Sequence, residues 1–287
     1  MKARLFDVRL ILTDMSYLKN IKTYLTTYRW TWVLIGGLGL FLGAEQLIKL
    51  THGTNFLPLL VVLGAFIMPV TFVVFIYERL PLANITIRWV LASFFVGGMI
   101  GLLMAGMLEY ATGSSLSPAG LLRVGVIEEA AKLIFPLLLF WGGGFRAEAN
   151  GVLFGVAAGM GFAALETMGY GVVSLIQSQG DINLLEQVLL FRGLLSPAGH
   201  AAWTGIVCAI LWRQRAEYGR GPVNMAVIGA FILAVGLHIV WDIASGLNLP
   251  VVWAVIVLLT VAVLSLLLLI RAIRHARYQL RRGNSTV

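Results

Sequence analysis

The chain has 287 residues, of which 59% are hydrophobic and only 12% are charged, and its mean hydropathy is +0.91. Soluble domains carry about 25% charged residues, because their surfaces need polar groups that face water. This composition therefore excludes a soluble globular domain. The net charge of +8 does not indicate nucleic-acid binding, since the basic residues gather near the termini and in alternate loops.

The chain opens with a basic segment, residues 1–29, in which apolar positions are interleaved with charged ones. The pattern predicts an amphipathic segment on the membrane surface, and a solvated tail fits it equally well. Apolar runs of about 18 to 25 residues follow, the length that crosses about 30 Å of hydrocarbon. We therefore predict an all-α fold, a polytopic transmembrane helical bundle of about eight spans. They lie near residues 30–48, 56–77, 88–108, 119–141, 150–176, 194–213, 223–245 and 250–271.

The distribution of lysine and arginine predicts the orientation of these spans. Basic residues are frequent in the N-terminal segment, in the loops after the second, fourth and sixth spans, and in the C-terminal tail. The other loops contain only Lys49, Arg123 and Arg192. Both termini therefore face the cytoplasm, as an even number of spans requires. We predict one transmembrane domain, 30–271, followed by a basic cytoplasmic tail, 272–287.

Charged side chains interrupt the fourth span near its middle, where Glu128, Glu129 and Lys132 occur. Ionisable groups in hydrocarbon cost about 2.5–3.5 kcal/mol each on insertion scales, so a cluster calls for an explanation. Lys132 lies four residues after the first glutamate and three after the second, on a face shared with either. An ion pair within the helix explains one carboxylate and leaves the other unpaired.

Polar residues also lie in the next three spans. Glu166 stands in the fifth span among small residues that permit close helix contact. His200 follows Pro197 at the entrance of the sixth span. His238 and Asp242 lie four residues apart in the seventh, a spacing that suits a metal pair or a histidine oriented by a carboxylate.

These groups are predicted to share one depth in the bilayer. The fourth span runs inward and the fifth outward, so Glu128 and Glu166 both fall about 14 Å below the outer edge. Four acidic side chains against Lys132 would leave three excess negative charges, which a low dielectric does not tolerate unless carboxyl groups are protonated or a divalent cation binds. We therefore predict a polar cavity within 119–245 that opens outward and can activate water.

At these residues the sequence resembles the PrsW family of intramembrane proteases and, more distantly, the CAAX prenyl endopeptidase and bacteriocin-processing group. The resemblance covers about residues 119–245. It rests on Glu-Glu-x-x-Lys (Glu128, Glu129, Lys132), Phe-x-x-x-Glu (Phe162, Glu166), His200 and the His238–Asp242 turn. It departs from the CAAX-type pattern, because Glu166 stands where that group has a histidine, and this makes prenylated substrates the weaker assignment.

The resemblance implies an endopeptidase of a bacterial cytoplasmic membrane that cleaves a membrane-anchored protein, such as an anti-sigma factor, near its extracytoplasmic side. It implies Glu128 as the general base, with Glu129 held by Lys132, and those two carboxylate roles are interchangeable. Glu166, His200, His238 and Asp242 would complete the catalytic set. If a divalent metal binds, zinc is expected, with Glu166, His200 and His238 as ligands. A metal-free glutamate mechanism is the alternative.

Two other classes of function fit a cluster of buried polar residues. A proton- or cation-coupled transporter also places carboxylates and histidines inside the bilayer, but the sequence shows no inverted repeat, and its acidic residues gather at one depth. A membrane scaffold in which polar residues only hold helices together accounts for one or two such residues more easily than for seven. Hydrolysis is therefore the function we expect.

Overall fold

In the computed structural model, the described residues are 28–80, 82, 85–113, 117–246 and 250–284, with side chains up to residue 282. Almost all of the predicted basic segment 1–29 lies outside them. The described part is helical, without strands, and contains nine helices of 14 residues or more. They are α1 (Arg29–Thr51), α2 (Leu57–Arg79), α3 (Ile87–Thr112), α4 (Pro118–Trp141), α5 (Glu148–Gln177), α6 (Ile182–Leu195), α7 (His200–Tyr218), α8 (Met225–Gly246) and α9 (Val251–Asn284).

Seven segments of the described chain are long and apolar enough to cross a membrane. They include α6 and α7 together, as the single stretch Ile182–Tyr218. The other long helix, α4, has 24 residues and carries Glu128, Glu129 and Lys132 in its middle. Counted with α4, these segments agree with the prediction of about eight spans, and the predicted polytopic helical bundle is confirmed.

Helix α5 lies at the centre of the bundle, and every residue from 148 to 164 is buried. Its glycines allow this, because neighbouring backbones come too close for a side chain. A Cβ atom on Gly161 would collide with the carbonyl of Phe94, and one on Gly159 would collide with the carbonyl of His200. The small residues of α5 thus bring α3 and α7 into backbone contact with it.

The sixth predicted span, 194–213, begins too late, because the chain enters the bundle earlier as helix α6. This helix folds back along the C-terminal part of α5, where Leu185 and Leu189 face Gly171. A 3₁₀ turn at Ser196–Ala198 separates α6 from α7. It contains Pro197, whose ring and missing N–H do not permit a continuous α-helix. The span is therefore broken at the level of the polar cluster.

Helix α9 has 34 residues, about 51 Å at 1.5 Å per residue, so it is much longer than the predicted span 250–271. Ala272 and Ala276 are buried in the main core beyond that limit. Glu148 at the start of α5 lies 2.5 Å from Arg213 of α7 and 2.6 Å from His275 of α9. This group joins three helices at the end opposite to α6.

Candidate active site

The structure brings the seven predicted site residues together. Helix α4 supplies Glu128, Glu129 and Lys132, α5 supplies Glu166, α7 begins with His200, and α8 supplies His238 and Asp242. The glycines of α5 and the break before α7 make this possible. They let α7 begin beside α5, so that its first residue, His200, lies next to the charged residues in the middle of α4. The carboxylates and imidazoles form one connected cluster.

Lys132 lies at the centre of the cluster and is fully buried. Its Nζ donates to Oε1 of Glu129 at 2.7 Å and to Nδ1 of His200 at 2.8 Å, and it lies 3.3 Å from Oε2 of Glu128. The ring centroid of Phe162 is 4.5 Å away, which adds a cation–π contact. Both motifs of α4 and α5 therefore meet at one ammonium group.

The contact with Lys132 determines which nitrogen of His200 carries the proton. An ammonium group only donates hydrogen bonds, so Nδ1 of His200 accepts and the proton of the neutral ring is on Nε2. That nitrogen faces Oε2 of Glu166 at 3.1 Å. The same oxygen lies 2.7 Å from the guanidinium of Arg192. His200 thus has both ring nitrogens engaged.

His238 is also oriented by a carboxylate. Its Nδ1 lies 2.8 Å from Oε1 of Glu129 and donates to it, because an ionised carboxylate only accepts. Its Nε2 then faces Oδ2 of Asp242 at 3.4 Å and Oε2 of Glu128 at 3.8 Å. Three acceptor atoms that face one another favour a proton or a water molecule among them.

Glu128 and Glu129 differ in how their oxygens are occupied. Oε1 of Glu129 accepts from both Lys132 and His238. Oε2 of Glu128 is buried and makes no hydrogen bond to any described residue. Oε2 of Glu166 also has no hydrogen bond of good geometry, but it lies 2.7 Å from Arg192, closer than the 3.3 Å that separates Oε2 of Glu128 from Nζ of Lys132. The free acceptor beside His238 is therefore on Glu128.

Two residues of the cluster were not predicted from the sequence. Arg192 was assigned to a loop, and instead it lies in the last turn of α6 beside Glu166; it lowers the charge excess from three negatives to two. Trp203 of α7 is buried, and its ring stacks on His238 at 5.0 Å. The signal for Trp203 was its position, three residues after His200 and thus on the same side of the helix.

The donors of the cluster do not form a metal-binding set. Within the described parts of the chain, no group of three or more His, Cys, Asp or Glu side chains is placed to hold a metal ion. The ligands predicted for zinc were Glu166, His200 and His238. They do not converge, because His200 contacts Lys132 and Glu166 while Nε2 of His238 points to Glu128 and Asp242.

The fold and the cluster together define an integral membrane protein with a polar site, rich in carboxylates and histidines, buried among its helices. A family model described as PrsW family intramembrane metalloprotease matches residues 86–270, more than half of the chain. The chain belongs to this family, as its motifs indicated, and is an intramembrane protease. Comparisons with curated proteins and with solved structures find no match. The matched region contains the whole cluster.

Proposed function

We propose that the protein hydrolyses a peptide bond of a membrane-anchored protein near the extracytoplasmic side of the membrane, with Glu128 as the general base. The observation that carries this proposal is the buried Oε2 of Glu128, which has no hydrogen bond and faces Nε2 of His238 across 3.8 Å. A water molecule that donates to both atoms is held and polarised at once.

In this mechanism Glu128 takes a proton from water as the water oxygen forms a bond to the carbonyl carbon of the substrate. The electron pair of the carbonyl double bond moves to its oxygen. When the tetrahedral species collapses, the carbon–nitrogen bond breaks and Glu128 returns the proton to the leaving amine. The products are an amine and a carboxylic acid, whose remaining proton passes to the amine or to solvent, and the enzyme regains its starting state.

The other residues of the cluster support the base. Lys132 and His238 occupy Oε1 of Glu129, so this carboxylate serves as an anchor. Asp242, which is a quarter exposed and lies 3.4 Å from His238, marks the side of the cluster that is open to solvent and substrate. We assign the catalytic set to the same seven residues that the sequence indicated, with distinct roles for Glu128 and Glu129.

A membrane-anchored anti-sigma factor is the substrate that the family resemblance favours. Such a substrate has one span and an extracytoplasmic part, so a bond near the outer end of its span is the one that an outward-opening site would reach. The positive-inside distribution of Lys and Arg places the cluster in the outer half of the bilayer, which fits that geometry. The expected location is a bacterial cytoplasmic membrane.

The proposal is tested with the purified protein in lipid vesicles and a single-span test protein that carries an extracytoplasmic domain. Glu128→Gln should lower the cleavage rate by about 10³-fold with unchanged thermal unfolding. Glu45→Gln is the matched control, because Glu45 also precedes a lysine by four residues within a span, and it should cleave like wild type. Normal cleavage by both Glu128→Gln and Glu129→Gln would refute the proposal.

Metal dependence is measured on the same preparation. The family description names a metalloprotease, and imidazole and carboxylate are ligand types that suit zinc, although the zinc ligands expected from the sequence do not converge in this structure. Bound metal at one equivalent, with loss of cleavage on chelation and recovery on adding zinc, would establish a metal mechanism. Full cleavage by metal-depleted protein would establish that the glutamate acts alone.

A further inference from the structure

Arg192 is a basic residue of the active site that none of the family motifs contains. It lies in the last turn of α6, just before the break in the sixth span. Its guanidinium contacts Oε2 of Glu166 at 2.7 Å and lies 3.9 Å from the ring centroid of Tyr170. A planar guanidinium that both pairs with a carboxylate and stacks on a ring is held in one orientation.

The ion pair is not an ordinary surface pair, because its acid is almost enclosed. The side chain of Glu166 is 15% exposed and that of Arg192 is 30% exposed. The other cationic side chain of the cluster, Lys132, is committed to Glu129 and His200. Among the described residues, Arg192 is thus the lysine or arginine paired with Glu166, which would otherwise be a buried carboxylate without a permanent charge partner.

Glu166 in turn faces the proton-bearing nitrogen of His200, and the other nitrogen of that ring accepts from Lys132. The contacts therefore run without interruption from Arg192 to Lys132, the group beside the proposed base. We infer that Arg192 is a positioning residue for catalysis, which acts through Glu166 and fixes His200 against Lys132. This inference rests on the proposed function. Arg192 is not expected to touch the substrate.

The location of Arg192 makes this role depend on how α6 is seated. Leu185 and Leu189 of the same helix are fully buried, where they face Gly171 of α5 and Gly64 of α2. Since they lie one and two turns before Arg192, their packing holds the guanidinium over Tyr170. Because Arg192 lies in a packed helix and not in a loop, its guanidinium keeps a fixed position beside Glu166.

The test compares full-length variants in vesicles with the single-span test protein. Arg192→Gln should lower kcat by about 100-fold while KM stays within about threefold, and Arg192→Lys should recover part of the loss. Arg220→Gln is the matched control, because Arg220 also stacks on a tyrosine, Tyr218, at the opposite end of the bundle. Tyr170→Phe keeps the ring and should cleave normally.

Action through Glu166 predicts that the variants are not additive. Arg192→Gln combined with Glu166→Gln should be no slower than the slower single variant. Multiplicative losses, or an Arg192→Gln variant with a kcat within threefold of wild type, would overturn the inference.

A second readout separates this inference from the proposed function. The chain has four histidines, so the ring ¹⁵N resonances of His200 can be assigned by substitution. Wild type should show the Nε2–H form, and Arg192→Gln should show a mixture, because without a fixed Glu166 the ring of His200 is no longer held against Lys132. If wild type cleaves nothing, the proposed function fails, and a His200 tautomer that responds to Arg192→Gln still supports the positioning role. An unchanged tautomer in that variant would overturn it.

Discussion

Nζ of Lys132 lies 2.8 Å from Nδ1 of His200, and this contact joins the motif of α4 to the first residue of α7. Because an ammonium group cannot accept, the contact assigns the proton of His200 to Nε2. Glu129 completes the arrangement by accepting from the same Nζ and from His238. One buried cation therefore sets the hydrogen-bond direction of two histidines, and Oε2 of Glu128, 3.3 Å from the same Nζ, is left without a hydrogen bond.

Removal of this cation should damage both stability and activity. Lys132→Met keeps the approximate volume of the side chain but leaves Glu128 and Glu129 without their ammonium group. We expect the free energy of unfolding to fall by about 3–5 kcal/mol, with complete loss of cleavage. Thermal unfolding in detergent and the vesicle assay measure the two effects.

The control for this prediction is Lys49→Met. Lys49 pairs with Glu45 four residues earlier, but half of its side chain is exposed, and such pairs contribute about 0–1 kcal/mol. The free energy of unfolding of Lys49→Met should therefore differ little from that of wild type. Equal losses in the two variants would contradict the central role of Lys132.

The indole of Trp203 supports His238 from the side and is itself held by a hydrogen bond. Nε1 of Trp203 donates to Oγ of Ser265 in α9 at 2.9 Å, and both residues are buried. Trp203→Phe or Ser265→Ala each leaves one polar atom without a partner, so each should cost about 1–3 kcal/mol in unfolding free energy. The double variant should lose less than the sum of the two, because neither unpaired atom is then present. Additive losses in denaturation experiments would show that the bond is not formed.

The sequence predicted the part of the site that lies within single helices. Spacings of three and four residues placed Lys132 with both glutamates, and His238 with Asp242, and the distances of 2.7, 3.3 and 3.4 Å agree. Shared depth then grouped the four spans. These features follow from helix geometry alone, so no knowledge of tertiary packing was needed.

The broken span was missed because polar residues, among them Glu186, Gln187 and Arg192, interrupt the apolar sequence of α6. The predicted span 194–213 therefore began near the turn Ser196–Ala198 and did not include most of α6. Arg192 was consequently counted among loop charges. Its partner Glu166 is 26 residues away in sequence, and only the packing of α6 on α5 shows that the two side chains meet.

The small residues of α5 should tolerate substitution only where no neighbour is close. A Cβ atom on Gly159 would collide with the carbonyl of His200, whereas nothing lies within 4 Å of one on Gly169. We expect Gly159→Ala to cost about 1–3 kcal/mol and to reduce cleavage, because α7 and its first residue must move. Gly169→Ala should be neutral or stabilising, by up to about 1 kcal/mol. If both variants unfold at the same temperature as wild type, close contact between α5 and α7 is not required.

The predicted orientation is open to a labelling experiment, because the natural cysteine is unreactive by burial. Cys208 is fully buried, so wild type should not react with a membrane-impermeant maleimide. Gln177→Cys, at the exposed end of α5, should react in intact cells. Gly221→Cys, in the exposed loop after α7, should react only after the membrane is permeabilised. The reverse pattern would place the active site toward the cytoplasm. The proposed cleavage near the extracytoplasmic side would then be wrong, whereas the proposed role of Glu128 as the base would be unaffected.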